Sequence, residues 1–173
     1  MKVELKSIKY CEALSQETPA FSGKVYVNGR HVGQAENAGH GGPTDVRVAW
    51  KGKRDPETNY PVCEDRDKKV IKDLHKWAKK HRQFGIEELI EDLLYDELHW
   101  RDFQKLKRSK LVYLQDGKIW SADKGNMTSE DIKSGRAEEW LKSASWWKDN
   151  NVFLNNITRA EFLEKYLTAY KGE

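Results

Sequence analysis

Within the first fifty residues, separate runs place apolar side chains at every second position, the period of a strand with one dry and one wet face. Val3 and Leu5 keep one parity and Ile8 and Tyr10 the other. Because side chains change face at each residue of a strand, that switch predicts a bulge or bend near Lys6 and Ser7, or two short strands. After the polar connection "SQETPA", the run "FSGKVYVNGRHVGQAEN" sets Val25 and Val27 before Asn28-Gly29. That dipeptide supplies the positive φ angles of a two-residue hairpin. Val46, Val48 and Trp50 alternate with Asp45, Arg47 and Ala49, which predicts a fourth strand with its valines and tryptophan on the dry side. The expected N-terminal element is an antiparallel sheet of three or four strands.

The period then changes. Residues 51–64, "KGKRDPETNYPVCE", hold two prolines and no repeat, and predict a linker out of the sheet. Asp65 is placed to cap a helix with the stripe Val70, Leu74, Trp77 and Ala78, and Ile71 beside it. Gly85 ends it, and from Ile86 the positions Leu89, Ile90, Leu93, Leu94, Leu98 and Phe103 predict a second helix to about Lys107. "KLVYLQDGKIWSAD" is a further hairpin turning at Asp116-Gly117. Thr128 or Ser129 with Glu130 and Asp131 starts a helix, and Trp140, Leu141, Ala144 and Trp147 form a spaced apolar set between Arg136 and Lys148. "TRAE" at 158–161 is a capping box for a last helix carrying Phe162, Leu163, Tyr166, Leu167 and Tyr170. The expected class is α+β in one domain over 1–173, sheet-rich over 1–50 and mainly helical over 65–173, with the hairpin near 110–122.

Composition narrows what this scaffold does. A 173-residue chain buries roughly 70% of its unfolded surface, enough to fold without disulfides or a structural metal. No apolar run approaches the roughly 20 residues of a transmembrane helix, and "MKVELKSIKY" lacks the apolar segment of a secretory signal, so a cytoplasmic protein is expected. Cys11 and Cys63 are then expected as reduced thiols, and without C-x-x-C or H-x3-H spacing neither a zinc site nor any cofactor is expected. The net charge of +3 says little, but its distribution is uneven. Residues 66–82 carry eight Lys/Arg against two Asp, a local +6, and residues 83–102 carry seven acids against Arg101, a local −6. Between neighbouring antiparallel helices such flanks would attract, at up to about 1 kcal/mol per exposed pair.

Three stretches carry candidate chemistry. In "AENAGHGGPTDVRVAW", glycine N–H groups can gather round an anion, which makes His40, Gly41, Gly42, Asp45 and Arg47 a candidate set for a small anion or nucleotide, with His40 as the available base. A phosphate loop, however, leads into a helix, whereas here a strand follows, no G-K-[ST] is present, and Pro43 lacks a donor. The loop is therefore first a corner between strands. No nucleophile elbow or second catalytic partner accompanies His40, so no catalytic residue is assigned. Glu88, Asp92, Asp96 and His99 share a helical stripe, read as solvated rather than metal-binding, and His75 and His81 fall on different faces. The better lead is the lysine stripe Lys69, Lys72, Lys76, Lys79 and Lys80, spaced to follow a phosphate backbone or an acidic protein. Trp146 and Trp147 are adjacent, and one helix cannot turn both into the same core; one of them is expected at a surface or partner contact.

The pattern "ETPAFSGKVYVNGRHVGQAENAGHGGPTD" resembles the opening of small uncharacterised proteins carried by phages and other bacterial mobile elements. In these an extended start, an Asn-Gly or similar hairpin and a glycine-rich turn precede a helical half. The resemblance covers about the first 50 residues and carries no catalytic residues. It implies an accessory protein that binds host factors, including defence complexes, or nucleic acid. The expected function is a non-catalytic binder of a host protein or nucleoprotein complex. The alternatives are a small-anion or nucleotide binder or hydrolase at the glycine loop, and a sequence-independent nucleic-acid binder. No membrane partner is expected, and the oligomeric state is open.

Overall fold

The structure, a computed structural model, describes residues 1–59 and 62–171. Tyr60 and Pro61 of the expected linker lie outside the described residues. The chain forms two compact units, Met1–Tyr95 and Asp96–Glu173.

The first unit begins with an antiparallel sheet of β1 (Val3–Tyr10), β2 (Phe21–Val27), β3 (Arg30–Asn37) and β4 (Asp45–Val48), in the order β1-β2-β3-β4. The parity switch is a bulge: the β1–β2 register slips between Lys6 and Lys9, and Ser7 takes a φ of 53°. Asn28 and Gly29, at φ 49° and 80°, make the hairpin turn, with both central residues left-handed as this turn demands. Along β2, Phe21, Gly23, Val25 and Val27 are buried, and the residues between them are not. Helix α1 (Asp65–His81) lies against β3 and β4 and buries Ile71, Leu74 and Ala78. Gly33 permits this approach, since a Cβ there would stand 2.9 Å from Ile71 Cδ1 and 2.6 Å from the Arg47 carbonyl oxygen.

Two expectations for this unit fail locally. Trp50 does not join the dry face: β4 ends at Val48, the chain leaves the sheet, and Ala49 is buried while Trp50 is half exposed with its indole N–H on the Lys53 carbonyl at 2.7 Å. Asp65 is not the cap. Glu64 holds that position without a side-chain capping bond, and the acid that matters is Asp67, fully buried in the first turn. Its Oδ1 accepts from Arg30 Nε at 2.8 Å, and Lys51 Nζ stands 2.8 Å from Oδ2. Glu64 bridges the same cations, at 2.7 Å from Arg30 Nη2 and 3.1 Å from Lys51 Nζ. Burial pushes the Asp67 pKa up, but hydrogen bonds from Arg30 and Lys51 outweigh it and hold the carboxyl below its ordinary value. The strand end, the linker and the helix start are thus tied together by charge.

Helix α2 (Ile86–Ser109) buries Ile86, Leu89, Ile90, Leu94 and Phe103. In the second unit β5 (Lys110–Gln115) and β6 (Lys118–Asp123) turn at Asp116 and Gly117, with φ 50° and 76°. A third strand, β7 (Val152–Phe153), makes the order β6-β5-β7, so β5 is central and apolar on both faces. On one face Leu111, Tyr113 and Phe153 pack with Ile132 of α3 (Ser129–Lys133) and with Ala137 and Leu141 of α4 (Arg136–Lys142). On the other, Val112 and Leu154 pack with Phe103 and with Phe162 of the C-terminal helical run. That run consists of α5 (Arg159–Glu161), a π-helical turn (Phe162–Tyr166) and α6 (Leu167–Lys171). The expected capping box forms between Thr158 and Glu161, and the helix start offered at Thr128 or Ser129 is a second one, Thr128 with Asp131. The helix expected to continue toward Lys148 stops at Lys142: the Ser143 hydroxyl bonds the Trp140 carbonyl at 2.7 Å, and a tight turn follows. Trp140 is consequently half exposed rather than part of a long apolar stripe.

Candidate functional site

The glycine loop is built around Asn37. Its buried carboxamide oxygen accepts from the Gly39 N–H and the Thr18 hydroxyl, both at 2.9 Å, while its amide donates to the Gly42 carbonyl at 2.9 Å and to Thr44 Oγ1 at 3.3 Å. Gly39 is buried, and its carbonyl accepts the N–H groups of Gln16 and Glu17 at 3.0 and 3.2 Å. The Gly41 N–H goes to Thr18 Oγ1 at 3.2 Å. The amides of Gly39 and Gly41 are therefore already bonded within the protein, and Pro43 has none. His40 is exposed, with Nδ1 3.3 Å from Gln16 Oε1. Arg47 pairs with Asp45 at 2.5 Å and Glu36 at 3.2 Å. The five loop candidates do not converge: of His40, Gly41, Gly42, Asp45 and Arg47, only Asp45 borders the pocket of about 820 Å³ that Thr44, His75, Lys79 and Phe84 also line.

Among the described residues, no group of three or more His, Cys, Asp or Glu is placed to hold a metal. In the acidic stripe, Asp92 pairs with Arg82 at 3.0 Å and Glu88 accepts the Phe84 N–H at 3.0 Å. His81 stacks on Trp77 at 4.5 Å between ring centroids, with its Nδ1 2.7 Å from the Trp77 carbonyl.

Lys69, Lys72, Lys76, Lys79 and Lys80 are exposed on the side of α1 away from Ile71, Leu74 and Ala78. None has an ion-pair partner among the described residues, and the stripe runs for about 16 Å at 1.5 Å per residue. In the turn beyond it, Phe84 is 71% exposed.

The second unit presents aromatic surface. Tyr113 and Trp120 are cross-strand partners; Tyr113 is buried in the cluster with α3 and α4, whereas Trp120 lies outside it. Trp146 lies against Tyr113, with ring centroids 5.2 Å apart, and Trp147 is 5.6 Å from Tyr113 and 6.1 Å from Trp146. Tyr113, Gln115, Asp116, Lys118, Trp120 and Trp146 line a groove of about 610 Å³. Trp120 is 53% and Trp146 42% exposed, whereas Trp147 is half-buried. Burial pushes the Tyr113 phenol up, so it stays a neutral donor at physiological pH. Lys148 bridges to Asp116 at 2.6 Å on the groove's rim. The Trp146-Trp147 pair is legible in the sequence, whereas the exposure of Trp120 and Phe84 is not. Trp120 had one available signal, its register opposite Tyr113 across the Asp116-Gly117 turn.

No family model matches the chain, and no curated protein or solved structure matches it. Among the described residues, no helix is long and apolar enough to cross a membrane.

Proposed function

We propose that the chain is a non-catalytic accessory protein of phage or mobile-element type that acts in the cytoplasm and captures a host protein with an acidic surface. The observation that carries this is the groove of Trp120, Trp146 and Tyr113, two of whose rings a folding core would have covered. Tryptophan and tyrosine in partly desolvated pockets are the commonest anchors of protein interfaces. The lysine stripe of α1, without ion-pair partners among the described residues, supports an acidic partner, because such a surface raises the rate of encounter and selects the sign of the partner's charge. The mobile-element resemblance of residues 17–45 supports a host target, defence complexes included. The glycine loop gives less support to a small-anion site, since two of its amides are already bonded. Nucleic acid is the second reading, favoured by the same lysines and by indoles able to stack unpaired bases.

The test is capture from host lysate, with and without nuclease, read by mass spectrometry. Wild type is compared with Trp120→Ala/Trp146→Ala and with Lys69→Glu/Lys72→Glu/Lys76→Glu/Lys79→Glu. The expected result is a protein retained after nuclease and lost from both variants, whose melting temperatures stay at the wild-type value. Capture that survives both sets of substitutions rejects the proposal, and capture that vanishes with nuclease assigns the surface to nucleic acid.

A further inference from the structure

A different pocket of the second unit holds a polar group that the fold does not explain. About 450 Å³ in volume, it is lined among others by Glu138, Lys142, Trp147, Asp149, Asn151 and Val152. Asn151, just before β7, is 8% exposed, and among the described residues neither its Oδ1 nor its Nδ2 has a hydrogen-bond partner. The other two buried asparagines behave differently. Asn37 makes the four bonds of the glycine loop. Asn155 accepts from the Val112 N–H at 2.6 Å and donates to the Lys107 and Lys110 carbonyls at 3.2 and 2.9 Å. A buried polar group left unpaired is destabilising, and an apolar residue of the same shape would remove that cost. Asparagine at 151 is therefore a poor choice for stability alone.

A carboxamide presents a donor beside an acceptor, and its complement is a planar edge with the opposite order. Nucleobases carry such edges, adenine N6 and N7 being the usual asparagine pair. Trp147 supplies an indole in the same wall for the ring to lie against. The volume lies within the range of small-molecule sites, roughly 300–1,000 Å³. Charge selects further: Lys142 is tied to Glu138 at 2.9 Å, and Asp149 has no ion-pair partner among the described residues, so the lining repels phosphate.

We propose that this pocket binds an uncharged nucleoside, whose base edge is read by the Asn151 carboxamide and whose ring rests on Trp147. The two amide atoms are closed off from water, so the carboxamide turns into the pocket on binding and gains there the hydrogen bonds it lacks. This site is independent of the partner proposed above.

The experiment is thermal shift and tryptophan fluorescence of the full chain with adenosine, guanosine, cytidine and uridine, with adenosine 5′-monophosphate and a dA oligonucleotide as charged arms. The expected result is a saturable rise in melting temperature with adenosine, weaker with the monophosphate. Asn151→Leu should lose that rise while melting no lower than wild type. Val152→Trp, which fills the pocket from a strand residue 37% exposed, should lose it too. No response to any nucleoside, or an equal response in both variants, overturns the proposal. A response only to the charged arms overturns the assignment to an uncharged ligand. An Asn151→Leu protein less stable than wild type, with binding intact in Val152→Trp, shows that the carboxamide serves the fold and likewise overturns it.

Discussion

Asp67→Asn keeps the shape of the side chain and removes the charge on which the start of α1 is docked. Breaking a buried ion pair from one side costs about 3–5 kcal/mol when the surviving charge is left buried. Here the surviving cations are not stranded: the Arg30 and Lys51 side chains are 34% and 38% exposed, and both keep Glu64. We therefore expect about 2–3 kcal/mol, which for a chain of this length is a fall of roughly 4–12 °C in melting temperature. The pH dependence follows from the depressed carboxyl. An acid whose pKa is lower folded than unfolded adds stability that is fully present above the unfolded value, about 3.9, and that fades as pH falls through the folded one. Urea denaturation followed by tryptophan fluorescence should show a wild-type advantage that is constant from pH 7 to pH 5 and shrinks below about pH 4. A gap under about 0.5 kcal/mol at pH 7, or one that persists undiminished to pH 3, refutes the assignment of this charge as the clamp.

Gly39→Ala should cost about 2–3 kcal/mol or more, because φ is +91° and the new Cβ would stand 2.2 Å from the Leu14 carbonyl oxygen; Gly42→Ala, which meets nothing within 4 Å, should stay within about 0.5 kcal/mol, and equal denaturation midpoints for the two refute the clamped-corner account. Asn155→Ala removes three hydrogen bonds and leaves the Val112 N–H without its partner, for a loss of about 2–4 kcal/mol and faster amide exchange at Val112; unchanged exchange there sinks the idea. Cys11 is exposed and Cys63 only partly so, and a thiol-reactive dye should modify Cys11 first in the native protein, as a Cys11→Ser comparison would show; a single rate that Cys11→Ser leaves unchanged speaks against it.

What was legible in the chain was whatever neighbouring residues decide. The bulge at Ser7, the Asn28-Gly29 and Asp116-Gly117 turns, the helix start at Thr128 and the capping box at Thr158 each depend on a few consecutive side chains, and all are present. What failed was where an element stops. Trp50 continues the β4 alternation on paper, but the last bond to β3 is from the Ala49 N–H to the Val32 carbonyl at 2.9 Å and the chain then turns away, so alternation loses its meaning there. The set Trp140, Leu141, Ala144 and Trp147 has helical spacing, yet Ser143 bonds back to the helix end and Trp147 is held by Tyr113, a contact 34 residues away in sequence. β7 is two residues long and leaves no periodic trace. Its one indirect sign is the unbroken apolar run Leu111–Leu114, since a strand covered on both faces sits centrally and needs a neighbour on each side.

The same division separates the candidate sites. The lysine stripe is a local property of α1 and could be read from spacing. The groove could not, because its existence depends on how far α3 and α4 reach across the sheet: their cluster takes in Leu111 and Tyr113 but leaves Trp120 out, and Trp146 meets Tyr113 from the following turn. One more helical turn after Lys142 would carry Trp146 off Tyr113. The early stop at Ser143 therefore exposes the aromatic end of the face and also brings Trp147 beside Asn151. Extending α4 with Ser143→Ala and Ser145→Ala tests that dependence, since alanine removes the competing hydroxyls and favours helix by a few tenths of a kcal/mol per residue. If the stop is what builds the groove, this variant gains helical circular dichroism and loses the partner capture that needs Trp146. A gain of helix with capture intact would show that Trp146 reaches its place by tertiary packing alone, and the weight would move from Ser143 to the Tyr113 contact.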